Sequence, residues 1–111
     1  MNSRDFESAL AGGYVTSHSL SLAEKELSFC IEVLDRGQLS RYALSLEGVS
    51  FLQLNDESKG KWERIELTEI LVEREPGESQ SEEWEIRCNF WETASMTIHC
   101  LRIRLDGDLI Q

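Results

Sequence analysis

Two histidines and three cysteines are the side chains of this 111-residue chain best suited to chemistry. A zinc site needs such groups to converge with one another or with carboxylates at about 2.0–2.3 Å. Neither His18 nor His99 stands at a metal-motif spacing from another strong ligand, so the sequence assigns no metal. His18 falls in phase with Leu20 and Leu22, which predicts a partly buried, hydrogen-bonded histidine. His99 lies between Ile98 and Cys100 and is expected on the opposite face from both. Ser17-His18-Ser19 sets hydroxyls beside an imidazole, but neighbours along a strand point to opposite faces, so His18 is poorly placed to activate either serine. There is no Gly-x-Ser-x-Gly and no phosphate-cradling glycine loop. Asp106-Gly107-Asp108 alone falls short of a calcium loop. These residues assign no catalytic, cofactor-binding or metal-ligating site, and a non-enzymatic reading is favoured over an enzymatic one.

The acids are more informative. Glu73, Glu75, Glu78, Glu82, Glu83 and Glu85 fall in one stretch relieved only by Arg74. That stretch is expected to cross a hairpin loop, projecting several carboxylates from one end of a sheet. Such a patch attracts a basic protein surface and steers its approach. Trp62, Trp84 and Trp91 stand at or near predicted strand ends, where indoles cover the open ends of a small β core. Trp84 is in phase with the core; Trp91 is out of phase with Phe90 and is expected at the surface, a suitable interface anchor. Glu78, Glu82, Glu83 and Trp91 are therefore the candidate protein-binding residues.

Charge bounds the partner. With 11 basic and 21 acidic side chains the net charge is −10, which repels nucleic-acid backbones and anionic membranes. A basic protein is the partner that this charge favours. Cys30, Cys88 and Cys100 include no CxxC, and an odd number cannot all pair within the chain; reduced, buried thiols and a cytoplasmic location are expected. A Cys88–Cys100 bridge requires their strands to be neighbours. The N-terminus lacks the apolar run of a signal peptide, and no stretch approaches the roughly 18 apolar residues of a membrane span.

Alternation positions these residues. Leu27, Phe29, Ile31 and Val33 recur at every second position, as do Trp84, Ile86, Cys88 and Phe90, which is the period of a half-buried strand. Strands are expected over 14–22, 26–34, 39–46, 49–54, 84–91 and 96–105. Asp35-Arg36-Gly37-Gln38 reads as a hairpin turn, Glu47-Gly48 as a bulge or tight bend, and 55–61 as a loop. Met96, Ile98 and Cys100 share one parity and Leu101, Ile103 and Leu105 the other, so a bulge is expected near Cys100. Residues 62–75 satisfy both strand and helix patterns; strand is preferred. Residues 3–11 read as a short helix with Ser3 as N-cap and a Phe6–Leu10 stripe, ended by Gly12-Gly13, or else as a frayed tail. The expectation is one all-β domain over 1–111: an antiparallel sandwich or partial barrel of about six or seven strands. The alternative is α+β, with 62–75 helical.

The run 44–56, LSLEGVSFLQLND, followed by Trp62 and Ile65-Glu66, resembles small bacterial β-rich proteins of unknown function, some of them like the immunity proteins of contact-dependent toxin systems. The likeness covers the middle third of the chain and contains no catalytic signature. It implies a compact binding protein, an inhibitor of a basic nuclease-like toxin.

The leading expectation is thus a non-enzymatic, acidic protein-binding module without cofactors. The competing readings are a small-molecule-binding β domain or small enzyme, which needs His18, Cys88 or a raised-pKa carboxylate in a cavity, and a structural subunit that dimerises through edge strands.

Overall fold

The computed structural model describes residues 1–74, 83–91 and 93–111. The chain begins with helix α1 (Ser3–Leu10), whose Phe6 and Leu10 are wholly buried one turn apart. Asn2, rather than Ser3, is the N-cap: its Oδ1 accepts the Asp5 amide at 2.8 Å, while Ser3 is already helical. Gly12, at φ +81°, turns the chain out of the helix.

Among the described residues nine strands follow: β1 (Gly13–Ser21), β2 (Glu26–Asp35), β3 (Gln38–Glu47), β4 (Phe51–Asp56), β5 (Glu66–Arg74), β6 (Trp84–Phe90), β7 (Ala94–Cys100), β8 (Arg102–Leu105) and β9 (Asp108–Leu109). All pairings are antiparallel, in the order β4-β7-β6-β5-β1-β2-β3-β8-β9. The β2–β3 hairpin turns at Arg36 (φ 51°) and Gly37 (φ 80°), two left-handed residues whose twist matches that of the strands. The fold is all-β with a short N-terminal helix. Residues 66–74 are strand, so the helical alternative for 62–75 does not occur, and the strand begins only at Glu66.

The strand count exceeds seven because one expected strand bends into two and a final short strand follows it. β7 and β8 are separated by Leu101 alone, where the expected bulge lies. β3 and β4 are joined through Gly48 (φ 69°), the expected bend. Along this paired ladder Glu47 faces Arg102 and Phe51 faces His99, four residues of advance against three. That one-residue slip is a bulge, and it swings the ladder from one half of the sheet to the other. The sheet stays open, ending in β4 and β9, yet the bent β7–β8 strand belongs to both ends of the order.

Inward residues of both halves, with Phe6 and Leu10, form one core that contains no buried polar or charged residue among the described residues. Leu44, Leu46, Trp84, Ile86, Cys88, Ile98 and Ile103 occupy it as their phase predicts. The first strand departs from expectation. β1 meets β5 only at Gly13–Leu67 and Tyr14–Glu66, and its register with β2 slips between Val15 and Ser17. Beyond that point β5 no longer flanks β1, so Leu20 and His18 share a face with Leu27 and Phe29 but remain exposed.

Candidate binding surface

The predicted binding residues do not form one patch. Glu78 and Glu82 lie outside the described residues. Glu83 precedes β6 and accepts a hydrogen bond from Ser50 Oγ at 3.1 Å. Trp91 follows the other end of β6, about 25 Å away at the usual rise per strand residue. Neighbouring acids of the run are placed by the β5–β6 ladder: Glu73 stands directly opposite Glu85, and Glu85 pairs with Arg87 at 3.2 Å.

Trp91 is half-buried, not exposed as its phase predicts. Phe90 pairs with Ala94, so the β6–β7 connection is a tight turn that starts on Trp91 in the left-handed region (φ 53°). This reorients the side chain against the end of the sheet. Its indole N–H donates to Glu66 Oε2 at 3.0 Å, and its ring meets Trp62 edge-on at 5.6 Å. Trp62 in turn packs on Phe90 at 5.4 Å and closes that end of the core, the role expected of the tryptophans. Its indole N–H donates to Asp56 Oδ2 at 3.0 Å and to Ser58 Oγ at 3.2 Å. Asp56 also accepts the Ser58 hydroxyl at 2.7 Å and the Ser58 amide at 2.9 Å. The Ser58 hydroxyl, foremost, holds the Asp56 carboxyl below its ordinary pKa, so it stays anionic.

Beside Trp91 lies an open groove of about 530 Å³, walled by Glu57, Glu69, Asn89, Thr93 and Ser95 among others. Among the described residues it has no cationic side chain in its walls. Asn55, Ser95, Asn89 and Glu69 face one another in register across four adjacent strands, and Asn89 Nδ2 donates to Glu69 at 3.2 Å. A second groove of about 390 Å³ shares Trp91 and Thr93 with the first and adds Trp62, Glu63, Arg64 and Lys61. Trp91 therefore stands as the wall between an acidic groove and a mixed one. A cation placed here meets carboxylates and an indole face together, a combination that attracts guanidinium and ammonium groups.

The sequence could not find Glu57, Glu66, Glu69 and Asn89, because only strand register brings them to Trp91. The one local signal was Asp56-x-Ser58, an Asx turn inside the expected loop.

The other chemistry-bearing residues lie apart. His18 is exposed on β1, which corrects the buried-histidine expectation. His99 is on the outer face, with its ring 5.0 Å from that of Phe51. Cys88 and Cys100, in phase with core positions, are buried, and Cys30, between Phe29 and Ile31 and out of that phase, is exposed. β6 and β7 are neighbours, but Cys88 pairs with Met96 and Cys100 with Trp84, four residues apart along the ladder and too far to bridge. Asp106 belongs to the β8–β9 turn, where its Oδ1 accepts the Ala43 amide at 2.7 Å.

An acid-rimmed indole cluster thus stands at one end of an open antiparallel sheet. No protein-family model and no curated protein matches the chain. Among the described residues no helix is long and apolar enough to cross a membrane.

Proposed function

We propose that the protein is a non-enzymatic binding module that engages a basic protein partner at the Trp91 groove. One observation carries this reading: a half-buried tryptophan stands beside an open groove whose ionisable walls among the described residues, Glu57 and Glu69, are both acidic. A partner arginine or lysine entering the groove exchanges water for two carboxylates and an indole face, and the net charge of −10 steers it inward. The sharper form of the reading, an inhibitor of a basic toxin in a bacterial cytoplasm, draws on the resemblance of residues 44–66. Three cysteines without a bridging pair suit a reducing compartment.

The enzyme or ligand-barrel reading draws less support. His18 lies on the exposed part of β1, and burial pushes the Cys88 thiol up to about 12, which leaves it protonated and a poor nucleophile.

The test is capture of a partner by tagged wild-type chain and by the Glu57→Lys/Glu69→Lys variant, eluted over a salt gradient. A stoichiometric basic protein released from the wild type at moderate salt and absent from the variant supports the reading. Equal capture by both chains overturns the groove as the site.

A further inference from the structure

We propose that β4 accepts an extended, basic segment of the partner as an added strand along its outer edge. The inference deepens the binding-module reading and rests on it for the sign of the partner's charge; the edge itself is a separate observation. β4 is the terminal strand of the order on its side among the described residues, and all six of its residues are exposed. An open edge offers unpaired N–H and C=O groups, and chains usually blunt such edges by shortening, bulging or covering them. This chain does so elsewhere. β9 is two residues long, β1 carries an irregularity between Val15 and Ser17, and the β5 amide of Val72 is bound by Glu7 of α1. β4, with the sequence FLQLND, has no lysine, arginine, proline or bulge within it.

Its side chains point the same way. Leu52 is paired with Ile98 and Leu54 with Met96, so both leucines face the core side of the sheet. Ile98 is 0% exposed, yet Leu52 is 42% and Leu54 55% exposed. A strand laid beside β4, with apolar residues at alternate positions, covers this unfilled row while its backbone completes the ladder.

The charges select the occupant. Glu83 is bonded to Ser50 just before β4, and Asp56 and Glu57 stand at its far end. Carboxylates thus flank an apolar edge at a separation of about 23 Å from residue 50 to residue 57. The complement is an extended segment with basic residues at both ends and apolar residues between. A second copy of this chain is a poor complement, because it brings the same carboxylates and a further net charge of −10.

The test uses the intact chain and a synthetic peptide with lysine at each end and alternating valine and threonine between. Two control peptides carry methyl groups on alternate backbone nitrogens, or glutamate in place of each lysine. We expect the first peptide to bind, with affinity falling as salt rises, and to slow hydrogen exchange at residues 51–56. Methylation should weaken binding about tenfold or more, since it removes backbone pairing while keeping charge and side chains. The glutamate peptide should not bind. Equal binding of plain and methylated peptides overturns strand addition, as does absence of protection at 51–56. Protection of those amides that grows with protein concentration, together with a dimer mass by light scattering, overturns it in favour of a second copy. The two proposals fail separately. Partner capture lost in Glu69→Lys, a groove residue on β5 that does not flank β4, with methylation without effect, leaves the groove standing and removes the added strand; the opposite pair of results does the reverse.

Discussion

Gly48 and Leu101 face each other where the two long strands bend: a Cβ built on Gly48 would lie 2.8 Å from Leu101 Cδ1 and 3.0 Å from Leu101 Cβ. The Leu101 amide donates to the Glu47 carbonyl at 2.9 Å, so both halves of the kink are tied at one point. Gly48 is needed twice over, for its φ of +69° and for the space that its missing side chain leaves.

Gly48→Ala should therefore destabilise by more than a left-handed backbone alone explains. The backbone part is about 1–2 kcal/mol, and the forced contact adds about 1–3 kcal/mol. Gly37→Ala is the internal control, because Gly37 shares the positive φ (+80°) but a Cβ there meets nothing within 4 Å. In urea unfolding, the Gly48 variant should lose clearly more stability than the Gly37 variant, and Leu101→Ala should restore part of the difference. Equal losses at the two glycines would mean that the Leu101 contact relaxes freely.

The bend was legible in the sequence, and the reason is physical. Gly48 breaks the parity of an alternating run, and the parity slip after Cys100 marks the opposite strand of the same kink. The turn at Arg36-Gly37 was legible for a similar reason, since left-handed residue pairs have a narrow chemistry. What alternation does not encode is which faces are covered. His18, Leu20 and Leu22 keep perfect phase, but β5 diverges from β1 after two residue pairs and leaves them at the periphery. The Trp91 groove was hidden for a related reason. Glu66 and Glu69 on β5, Asn89 on β6 and Glu57 just after β4 meet Trp91 only through register, and Trp91 itself turns inward through a positive φ that no composition signal announces.

Glu47 ties the same kink electrostatically. Its Oε1 accepts from Arg102 Nε at 3.0 Å and from Arg104 Nε at 3.1 Å, on the strand beyond Leu101. The hydrogen bond from Arg102, followed by that from Arg104, lowers its pKa from the ordinary 4.5. A depressed folded-state pKa contributes stability above about pH 4.5 that fades as pH falls through the lower folded value. Glu47→Gln should cost a few tenths to about 1 kcal/mol at pH 7, the range of partly exposed pairs. The gap between variant and wild type should close on acidification, as followed by urea unfolding across pH. A gap that persists in acid would assign the effect to packing rather than charge.

The cysteines separate sharply by reactivity. Burial pushes the thiols of Cys88 and Cys100 up to about 12, with the Glu83 carboxylate adding to the effect at Cys100. At pH 8 these thiols therefore stay protonated and unreactive, and both side chains are buried. Cys30 is exposed. Iodoacetamide should attach one group to the native chain, at Cys30, and three after denaturation, read by intact mass and peptide mapping. Rapid native modification of Cys100 would show that the bent strand opens at Leu101.

Glu7 substitutes for a missing strand. β5 pairs with β1 only at Glu66 and Leu67, and α1 packs against β5 beyond them. There Glu7 Oε2 accepts the Val72 amide at 2.9 Å, a partly buried bond between residues 65 apart in sequence. Glu7→Ala should leave this N–H without its acceptor, at about 1–3 kcal/mol, and speed hydrogen exchange at Val72 more than at Ile70 or Leu71. Glu7→Gln keeps a carbonyl acceptor at the same reach and should recover most of the loss. If glutamine fails where glutamate succeeds, the negative charge rather than the hydrogen bond holds the helix against the sheet. If alanine leaves Val72 exchange unchanged, the packing of Phe6 and Leu10 alone keeps that edge covered.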